Sequence, residues 1–266
     1  MNIKELIEKH EGTNENWLIL EYLTGKKSVE LKMDLRFCVD SIYNDFLEII
    51  EKRKQNYPLQ YIFGKWEFYG LELFVDESAL IPRFETEILV DEIVKLNCKK
   101  DKILDIGCGS GAISLALAKN LYKSYIYGVD ISKEAINLSN KNKEKLNLQN
   151  VKFFESDIFS NVDEKHFDII VSNPPYIDDA EMKTLEKELS FEPQNALYGG
   201  QDGLFFYREI IINSLDYLSE KGVLAFEIGY NQMEIISNLL IENGFEILLQ
   251  KKDFAGFDRI IIGKRR

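Results

Sequence analysis

The chain has 266 residues, 45% of them hydrophobic, which is enough to bury one large domain or a large and a small one. Its formal net charge of −12 disfavours nucleic acid as a partner, because binding to a phosphate backbone ordinarily depends on Lys and Arg. Three widely spaced cysteines and two histidines indicate neither a disulfide framework nor a metal site. No apolar run approaches the roughly 18 residues of a membrane span, so we expect a cytoplasmic protein with no membrane contact.

Residues 1–57 are predicted to form a small helical domain. Apolar residues recur there at three- and four-residue steps, for example at Ile42 and Phe46, which is typical of short amphipathic helices. The pattern leaves open whether this domain recognises a substrate or only stabilises its neighbour. Residues 58–76 are predicted to be a linker containing a β-hairpin, because bulky and polar residues alternate on either side of Gly70.

Residues 77–266 are predicted to form an α/β catalytic domain. From Lys102 onward, short apolar runs alternate with amphipathic stretches, which is typical of a doubly wound, mostly parallel sheet. A helix is predicted from Leu204 to Leu218. The predicted strands are Ile103–Ile106, Tyr125–Val129, Val151–Phe154, Phe167–Val171, Val223–Ile228, Phe245–Leu249 and Arg259–Ile262.

A glycine-rich turn follows the first predicted strand of this domain. Glycines let the backbone approach a ligand closely, and the N-terminus of the next helix offers N–H groups. The spacing also satisfies the dinucleotide-binding pattern, so a nicotinamide or flavin cofactor stays open at this point. We assign no chemistry to the thiol in this turn. The candidate cofactor-binding residues of the turn are Gly107, Cys108, Gly109, Ser110 and Gly111.

Further cofactor contacts are predicted after the next two strands. Asp130 ends the second strand about 20 residues beyond the turn, where an acidic residue accepts hydrogen bonds from ribose hydroxyls. Asp157 and Ile158 follow the third strand and would offer an acceptor to an adenine amino group and an apolar wall to its face. Asp130 could instead be a solvated residue at a helix start, and Asp157 an ordinary surface residue. Arg83, before a predicted helix, is a further residue that could face the cofactor.

The fourth predicted strand ends in the motif Asn173-Pro-Pro-Tyr176. Two prolines make a rigid turn without N–H groups, so the loop offers carbonyl oxygens and the Asn173 side-chain oxygen to a substrate that carries an NH₂ group. The Tyr176 ring could pack on a planar group. By itself the tetrapeptide fits an ordinary strand-ending turn equally well. The candidate catalytic residues are Asn173, Pro174, Pro175 and Tyr176, with Asn173 also predicted to contact the cofactor.

Together these motifs resemble class I S-adenosylmethionine-dependent methyltransferases that act on a planar nitrogen. Other stretches resemble the HemK/PrmC family, which methylates the glutamine of the Gly-Gly-Gln motif in peptide chain release factors. The chain departs from that family at Phe84, where a second proline is usual, and at Ile158, where some members carry an aromatic residue. The stretches that carry the resemblance are Tyr57-Pro-Leu-Gln-Tyr-Ile62, Leu80-Ile-Pro-Arg83, Phe191-Glu-Pro193, Gly199-Gly-Gln-Asp-Gly-Leu204, Glu227-Ile-Gly229 and Gly256-Phe-Asp-Arg259.

The resemblance implies a fold, a cofactor and a partner. The fold would be a Rossmann-like, seven-stranded, mostly parallel sheet with a small N-terminal helical domain. The cofactor would be S-adenosyl-L-methionine, leaving S-adenosyl-L-homocysteine as product. The Asn173 side-chain oxygen and the Pro174 carbonyl would accept the N–H groups of a glutamine amide. The partner would be a bacterial class I release factor, docked by the helical domain of a monomeric enzyme.

Three other functions fit parts of the pattern. An amino methyltransferase acting on RNA or DNA would use the same loop on a flipped base, but the acidic balance and the lack of a basic, aromatic-rich segment argue against it. A non-catalytic binding protein would have no need of the intact Asn-Pro-Pro-Tyr motif. A dinucleotide oxidoreductase would bind nicotinamide or flavin in place of S-adenosylmethionine.

Overall fold

The chain divides between Phe63 and Gly64 in the computed structural model, which describes residues 1–11 and 13–266. The first unit is Met1–Phe63 and the second is Gly64–Arg266. The sequence pattern predicts the end of the helical domain at residue 57 and a separate linker after it. In the structure, the division lies further along the chain, and the hairpin belongs to the second unit. No helix within the described ranges is long and apolar enough to cross a membrane.

The first unit is helical, as predicted. The side chain of Asn2 caps the first helix in a capping box with Glu5, and Gly25 ends the second helix in the left-handed conformation. Leu20 and Phe46 are fully buried in its own apolar core. The helices are α1 (Ile3–Lys9), α2 (Asn14–Thr24), α3 (Ser28–Met33), α4 (Tyr43–Lys54) and α5 (Leu59–Phe63).

The second unit begins with the predicted hairpin, formed by β1 (Lys65–Phe68) and β2 (Leu71–Phe74). Both turn residues have positive φ, 49° at Tyr69 and 71° at Gly70, as a tight two-residue hairpin turn requires. The hairpin is tied to a distant helix, because the Phe74 amide donates to the side-chain oxygen of Asn142 at 2.6 Å.

A seven-stranded sheet forms the centre of the second unit. Its order is β5-β4-β3-β6-β7-β9-β8. The first five strands in that order pair in parallel, whereas β9 runs antiparallel to both of its neighbours. The predicted mostly parallel, Rossmann-like sheet is therefore confirmed. The strands are β3 (Lys102–Ile106), β4 (Tyr125–Asp130), β5 (Val151–Glu155), β6 (Phe167–Ser172), β7 (Leu218–Glu227), β8 (Phe245–Lys252) and β9 (Asp258–Arg265).

Helices cover both faces of this sheet, so its central strands are apolar on both sides. Val171 of β6 packs into one core with the helices α6 and α7, and Ile170 packs into the other with α10 and α11. All six residues of β6 are buried. The helices of this unit are α6 (Thr86–Lys95), α7 (Ala112–Asn120), α8 (Lys133–Leu146), α9 (Asp179–Met182), α10 (Phe205–Ser214) and α11 (Met233–Glu242).

The boundaries predicted between α10 and β7 are wrong. The helix predicted over Leu204–Leu218 ends at Ser214, and the strand predicted from Val223 already begins at Leu218. The reason is a long-range contact, because the amide of Phe167 donates to the carbonyl of Tyr217 at 2.8 Å and brings that segment into the sheet. The hydrophobic periodicity of the segment carries no trace of this pairing.

Candidate active site

The predicted site residues meet where the strand order of the sheet reverses. From β3 the chain builds outward to β4 and β5, then returns to place β6 on the other side of β3. Ile106 of β3 lies opposite Ser172 of β6, so the loops that follow these strands are neighbours at the carboxyl edge. Such a reversal opens a crevice in which ligands of α/β sheets bind.

The glycine-rich turn after β3 is held by hydrogen bonds from its own amides to the neighbouring strand β4. The amides of Gly107 and Cys108 both donate to the Val129 carbonyl, at 2.8 and 2.9 Å. Gly111 has φ of 83° and caps α7, and a Cβ there would lie 3.0 Å from Phe153 and from Ser139. The N–H groups of Gly107 and Cys108 therefore already have acceptors within the protein. The predicted supply of free N–H groups to a ligand is smaller than the sequence indicates.

Two carboxyl groups lie beside this turn. Asp105 is fully buried, and its Oδ2 accepts the amide of Ser114 at 3.1 Å and the hydroxyl of Ser114 at 2.6 Å. Its Oδ1 has no hydrogen-bond partner in the described part of the chain. Burial raises the pKa of Asp105 to about 7, although the hydrogen bonds from Ser114 lower it.

Asp130, at the end of β4, ties the turn to the start of α8. Its Oδ2 accepts the amide of Gly109 and its Oδ1 accepts the amide of Ser132, both at 2.9 Å. Burial raises the pKa of Asp130, and these backbone donors oppose the rise. Each carboxylate oxygen can accept more than one hydrogen bond, so both oxygens can also accept a hydrogen bond from a ligand.

The loop after β5 places Ile158 in a strained conformation. Its φ is 48°, in the left-handed region that a β-branched residue rarely adopts. The hydroxyl of Ser156 donates to the Ile158 carbonyl at 3.1 Å, and the amide of Asp157 donates to the hydroxyl of Ser160 at 3.0 Å. Strain that neighbouring groups maintain in this way is a feature of ligand sites.

These loops line a cavity of about 280 Å³, the first pocket. Of the predicted residues, Gly111 is buried behind this pocket and Tyr176 lies elsewhere. Arg83, Thr86 and Phe206 complete part of its wall. The predicted residues that line the first pocket are Gly107, Cys108, Gly109, Ser110, Asp130, Asp157, Ile158, Asn173, Pro174 and Pro175.

A second pocket of about 430 Å³ adjoins the first. The two pockets share the lining residues Leu80, Arg83, Asn173, Pro174 and Ala196. Tyr176 lines the second pocket only. The residues of the second pocket are Leu80, Arg83, Asn173, Pro174, Tyr176, Ile177, Glu186, Glu188, Leu189, Glu192, Ala196, Leu197 and Glu227.

The Asn173–Tyr176 loop is held by residues far away in the sequence. Gln232 donates from Nε2 to the Tyr176 carbonyl at 3.3 Å. A Cβ on Gly199 would approach the Pro175 carbonyl oxygen to 2.6 Å, and a Cβ on Gly203 would contact the Tyr176 carbonyl oxygen. Only glycine permits these approaches. The Gly199–Leu204 stretch therefore acts as packing for the loop.

Burial raises the pKa of Tyr176 to about 12, and the nearby charge of Glu227 adds to the rise, while Arg259 opposes it. The phenol is consequently neutral at physiological pH. Tyr176 can pack against a planar group or donate a hydrogen bond, but it cannot act as a base there.

Three functional candidates were missed by the sequence analysis as individual residues. Glu192 is buried, accepts the Ile81 amide at 2.9 Å and pairs with Arg83. Arg83 thus lines both pockets while bound to a carboxylate. Thr86 and Glu227 lie beside Asn173. Its position in the sequence was the available signal for Glu227, because it is the penultimate residue of the predicted strand Val223–Ile228, and the carboxyl end of that strand lies at the same edge as that of β6.

Phe84, where the family usually has proline, is 64% exposed. Its ring centroid lies 6.1 Å from that of Phe254, which is 87% exposed. Phe84 therefore adds an exposed aromatic surface next to Arg83 in the chain and lines neither of the two pockets.

The mostly parallel seven-stranded sheet, with both pockets at the carboxyl edge of its central strands, defines a Rossmann-like α/β domain. Residues 84–206 match the family described as Methyltransferase small domain, and residues 3–64 match the PrmC N-terminal domain. The fold is similar to that of a methyltransferase from Pyrococcus furiosus, with a TM-score of 0.60 at 18% identity over 80% of this chain and 98% of that chain.

Two relatives specify the family. A release factor glutamine methyltransferase of Fusobacterium nucleatum subsp. nucleatum is 48% identical over 221 residues, which are 82% of this chain and 62% of that protein. A protein of the same name in Buchnera aphidicola subsp. Acyrthosiphon pisum is 38% identical in an alignment of 275 positions that spans 100% of this chain and 99% of that protein. The chain belongs to the release factor glutamine methyltransferase family. It spans less than two thirds of the Fusobacterium relative.

Proposed function

We propose that this protein transfers a methyl group from S-adenosyl-L-methionine to the side-chain amide nitrogen of the glutamine in the Gly-Gly-Gln motif of bacterial class I release factors. The observation that carries the proposal is that Asn173 and Pro174 line both pockets. A donor in the first pocket and a planar amide in the second would meet at these residues. The names of the relatives support the acceptor class.

The first pocket suits a cationic nucleoside. Its two carboxyl groups, those of Asp130 and Asp157, complement a positive charge. Asp130 would hold the ribose, Asp157 and Ile158 the adenine, and the Gly107–Gly111 turn with Asn173 the amino-acid part. When bound, S-adenosylmethionine supplies a methyl group already activated on a sulfonium.

The second pocket has to position a poor nucleophile. A glutamine amide nitrogen shares its lone pair with the carbonyl, the resonance that also gives peptide bonds a rotation barrier of about 18–20 kcal/mol. Correct placement of reacting groups can contribute roughly 7–11 kcal/mol. The Asn173 side-chain oxygen and the Pro174 carbonyl each accept one amide N–H in this proposal. These dipoles also stabilise positive charge that develops on the nitrogen.

Tyr176 would pack on the amide plane. Its phenol stays neutral because burial raises its pKa to about 12. The Arg83–Glu192 pair at the junction of the pockets brings no net charge to the amide. Apolar side chains complete the enclosure and limit access of water to the acceptor nitrogen. They are Leu80, Ile177, Leu189 and Leu197.

The deciding experiment is intact-protein mass spectrometry of an unmodified bacterial release factor after incubation with this protein and S-adenosylmethionine. We expect a single added methyl, placed by fragmentation on the Gly-Gly-Gln glutamine. A release factor with glutamate at that position is the matched control and should gain nothing. If cofactor binding is confirmed by calorimetry and the native release factor gains no mass, the acceptor assignment is wrong, and RNA and DNA become the next substrates to test.

The roles given to the helical unit and to the monomer stay predictions. If residues 1–57 recognise the release factor, substitutions of exposed apolar residues there should raise KM and leave kcat unchanged. Val29 and Met33 are 66% and 85% exposed and are suitable positions. Sedimentation of the full chain would establish the oligomeric state.

A further inference from the structure

Glu227 lies next to Asn173 at the carboxyl edge of the sheet, where the parallel strands end. Strands β6 and β7 are parallel, and Ser172 lies opposite Phe226. The next residues along the two strands are Asn173 and Glu227, and both line the second pocket. A carboxyl group is therefore built into the wall where the acceptor amide is proposed to bind.

This carboxyl group is almost entirely removed from solvent. Glu227 is 2% exposed, and its Oε2 has no hydrogen-bond partner in the part of the chain that the structure describes. Burial raises the pKa of the carboxyl to about 7, and the neighbouring side chains of Thr86 and Asn173 oppose this rise. A buried carboxyl with spare acceptor capacity is costly unless neighbouring donors turn toward it.

The orientation of the Asn173 amide follows from these neighbours. Its Nδ2 donates to the hydroxyl of Thr86 at 3.3 Å, which leaves the hydroxyl proton of Thr86 for another acceptor. An ionised carboxylate only accepts hydrogen bonds, so it attracts an NH₂ group and repels an amide oxygen. With the nitrogen of Asn173 drawn toward Thr86 and Glu227, its oxygen is directed away from them.

We propose that Glu227 is a positioning residue which, together with Thr86, holds the NH₂ group of Asn173 so that its Oδ1 faces the acceptor amide. The inference rests on the proposed function of the second pocket, and it assigns to Glu227 no contact with the reacting atoms. Without the carboxylate, the Asn173 amide can rotate by about 180° and present its NH₂ group to the substrate glutamine. The NH₂ group of that glutamine would then face another donor and would lose its hydrogen bond to Oδ1 of Asn173.

Other charged and titratable groups face Glu227 from the elements packed around it. Arg259 on β9 and Glu85 before α6 act on it through their charges, and Tyr176 and Tyr207 are close enough to feel its charge. Burial raises the pKa of both phenols, so they stay neutral. Arg259 stays charged and is paired with Asp253 at 3.0 Å.

A pH dependence follows from this arrangement. Glu227 is ionised above about pH 7 and protonated below it. A protonated carboxyl group can donate to the oxygen of Asn173, which removes the orientational preference. Turnover should therefore rise as the pH passes upward through about 7.

The first test is Glu227→Gln, which preserves shape and removes the charge. We expect kcat to fall about 10²-fold, the cost of a misplaced reacting group, and the rise near pH 7 to disappear. Cofactor affinity measured by calorimetry should not change. Glu220→Gln is the matched control, because Glu220 is exposed on the same strand and loses the same charge. Wild-type kcat in Glu227→Gln would overturn the inference.

Thr86 allows a second comparison that does not alter the carboxyl group. Thr86→Ser keeps the hydroxyl and should retain most of the activity, whereas the nearly isosteric Thr86→Val removes it and should lower kcat in the same direction as Glu227→Gln. Equal kcat values in the two Thr86 variants would contradict the proposed hydrogen-bond chain.

The third test is independent of any acceptor. In protein labelled with ¹⁵N-asparagine, the side-chain NH₂ signals of Asn173, identified by their loss in Asn173→Ala, should shift with a midpoint near pH 7. The shift should vanish in Glu227→Gln. If the chemical shifts of these signals do not change with pH, Glu227 does not hold this amide. If the wild-type protein methylates no release factor while these signals titrate as expected, the proposed function fails and the positioning role stands.

Discussion

The two loops that meet at the sheet edge are built in different ways. The turn after β3 is shaped by its own glycines and by backbone donors to Val129 and Asp130, all close to it in the chain or on the adjacent strand. The Asn173–Tyr176 loop is stiff because of its prolines, but distant residues, namely Gly199, Gly203 and Gln232, determine where it lies. The proposed cofactor side is thus a local motif, and the proposed acceptor side is a long-range assembly.

The sharpest way to separate the two sides is Asn173→Ala. Loss of one preorganised polar group in a catalytic site costs about 10²–10³-fold in kcat. We expect a fall of at least that size in methyl transfer to the release factor, while calorimetry shows cofactor affinity largely unchanged. Near-full turnover in this variant would remove Asn173 from the acceptor machinery.

The long-range support of the loop is tested by Gly203→Ala. The added Cβ would contact the Tyr176 carbonyl oxygen, and the backbone there has φ of 70°. The control is Gly256→Ala, where φ is 89° and no atom lies within 4 Å of the new Cβ. Both should lose about 1–2 kcal/mol of unfolding free energy from left-handed strain. The Gly203 variant should lose more, together with activity; equal losses in urea titrations would mean that the loop does not depend on this contact.

Asp130→Ala should affect the cofactor side first. Hydrogen bonds to charged groups contribute roughly 1.5–3 kcal/mol, so we expect cofactor affinity to fall about 10- to 100-fold. Turnover at saturating cofactor should change less than in Asn173→Ala. Calorimetry that shows unchanged affinity would rule out the ribose assignment.

The last prediction concerns the pH dependence of stability. Burial raises the pKa of Asp105 and of Glu227 to about 7, above the values that these groups have in an unfolded chain. The folded state therefore binds more protons than the unfolded state, and these groups lower stability as the pH rises toward 7. The slope is roughly 1.4 kcal/mol per pH unit for each carboxyl. Urea titrations from pH 5 to 8 should show this decline, and Asp105→Asn should reduce it; an unchanged slope in that variant would exclude Asp105 as a source.

The sequence predicts the local motifs of the molecule and misses its long-range contacts. The strands, the glycine turn and the Asn-Pro-Pro-Tyr motif are local patterns, and each was predicted from neighbouring residues. Glu192, Thr86 and Glu227 were missed because a buried polar residue acquires meaning only from what the fold brings beside it. The early start of β7 was missed for the same reason, since its pairing with Phe167 is set across the sheet.

The insertion of β9 between β7 and β8 has a consequence for how the protein assembles during synthesis. Strands β3 to β6 all precede it in the chain, so a nascent chain can pair the strands beneath the first pocket before β9 exists. Glu227 pairs with Ile260 of β9, and the Ile228 amide donates to the Arg259 carbonyl at 2.8 Å. The pairing that borders Glu227 is therefore, together with that between β8 and β9, the last of the sheet for which both strands have been synthesised.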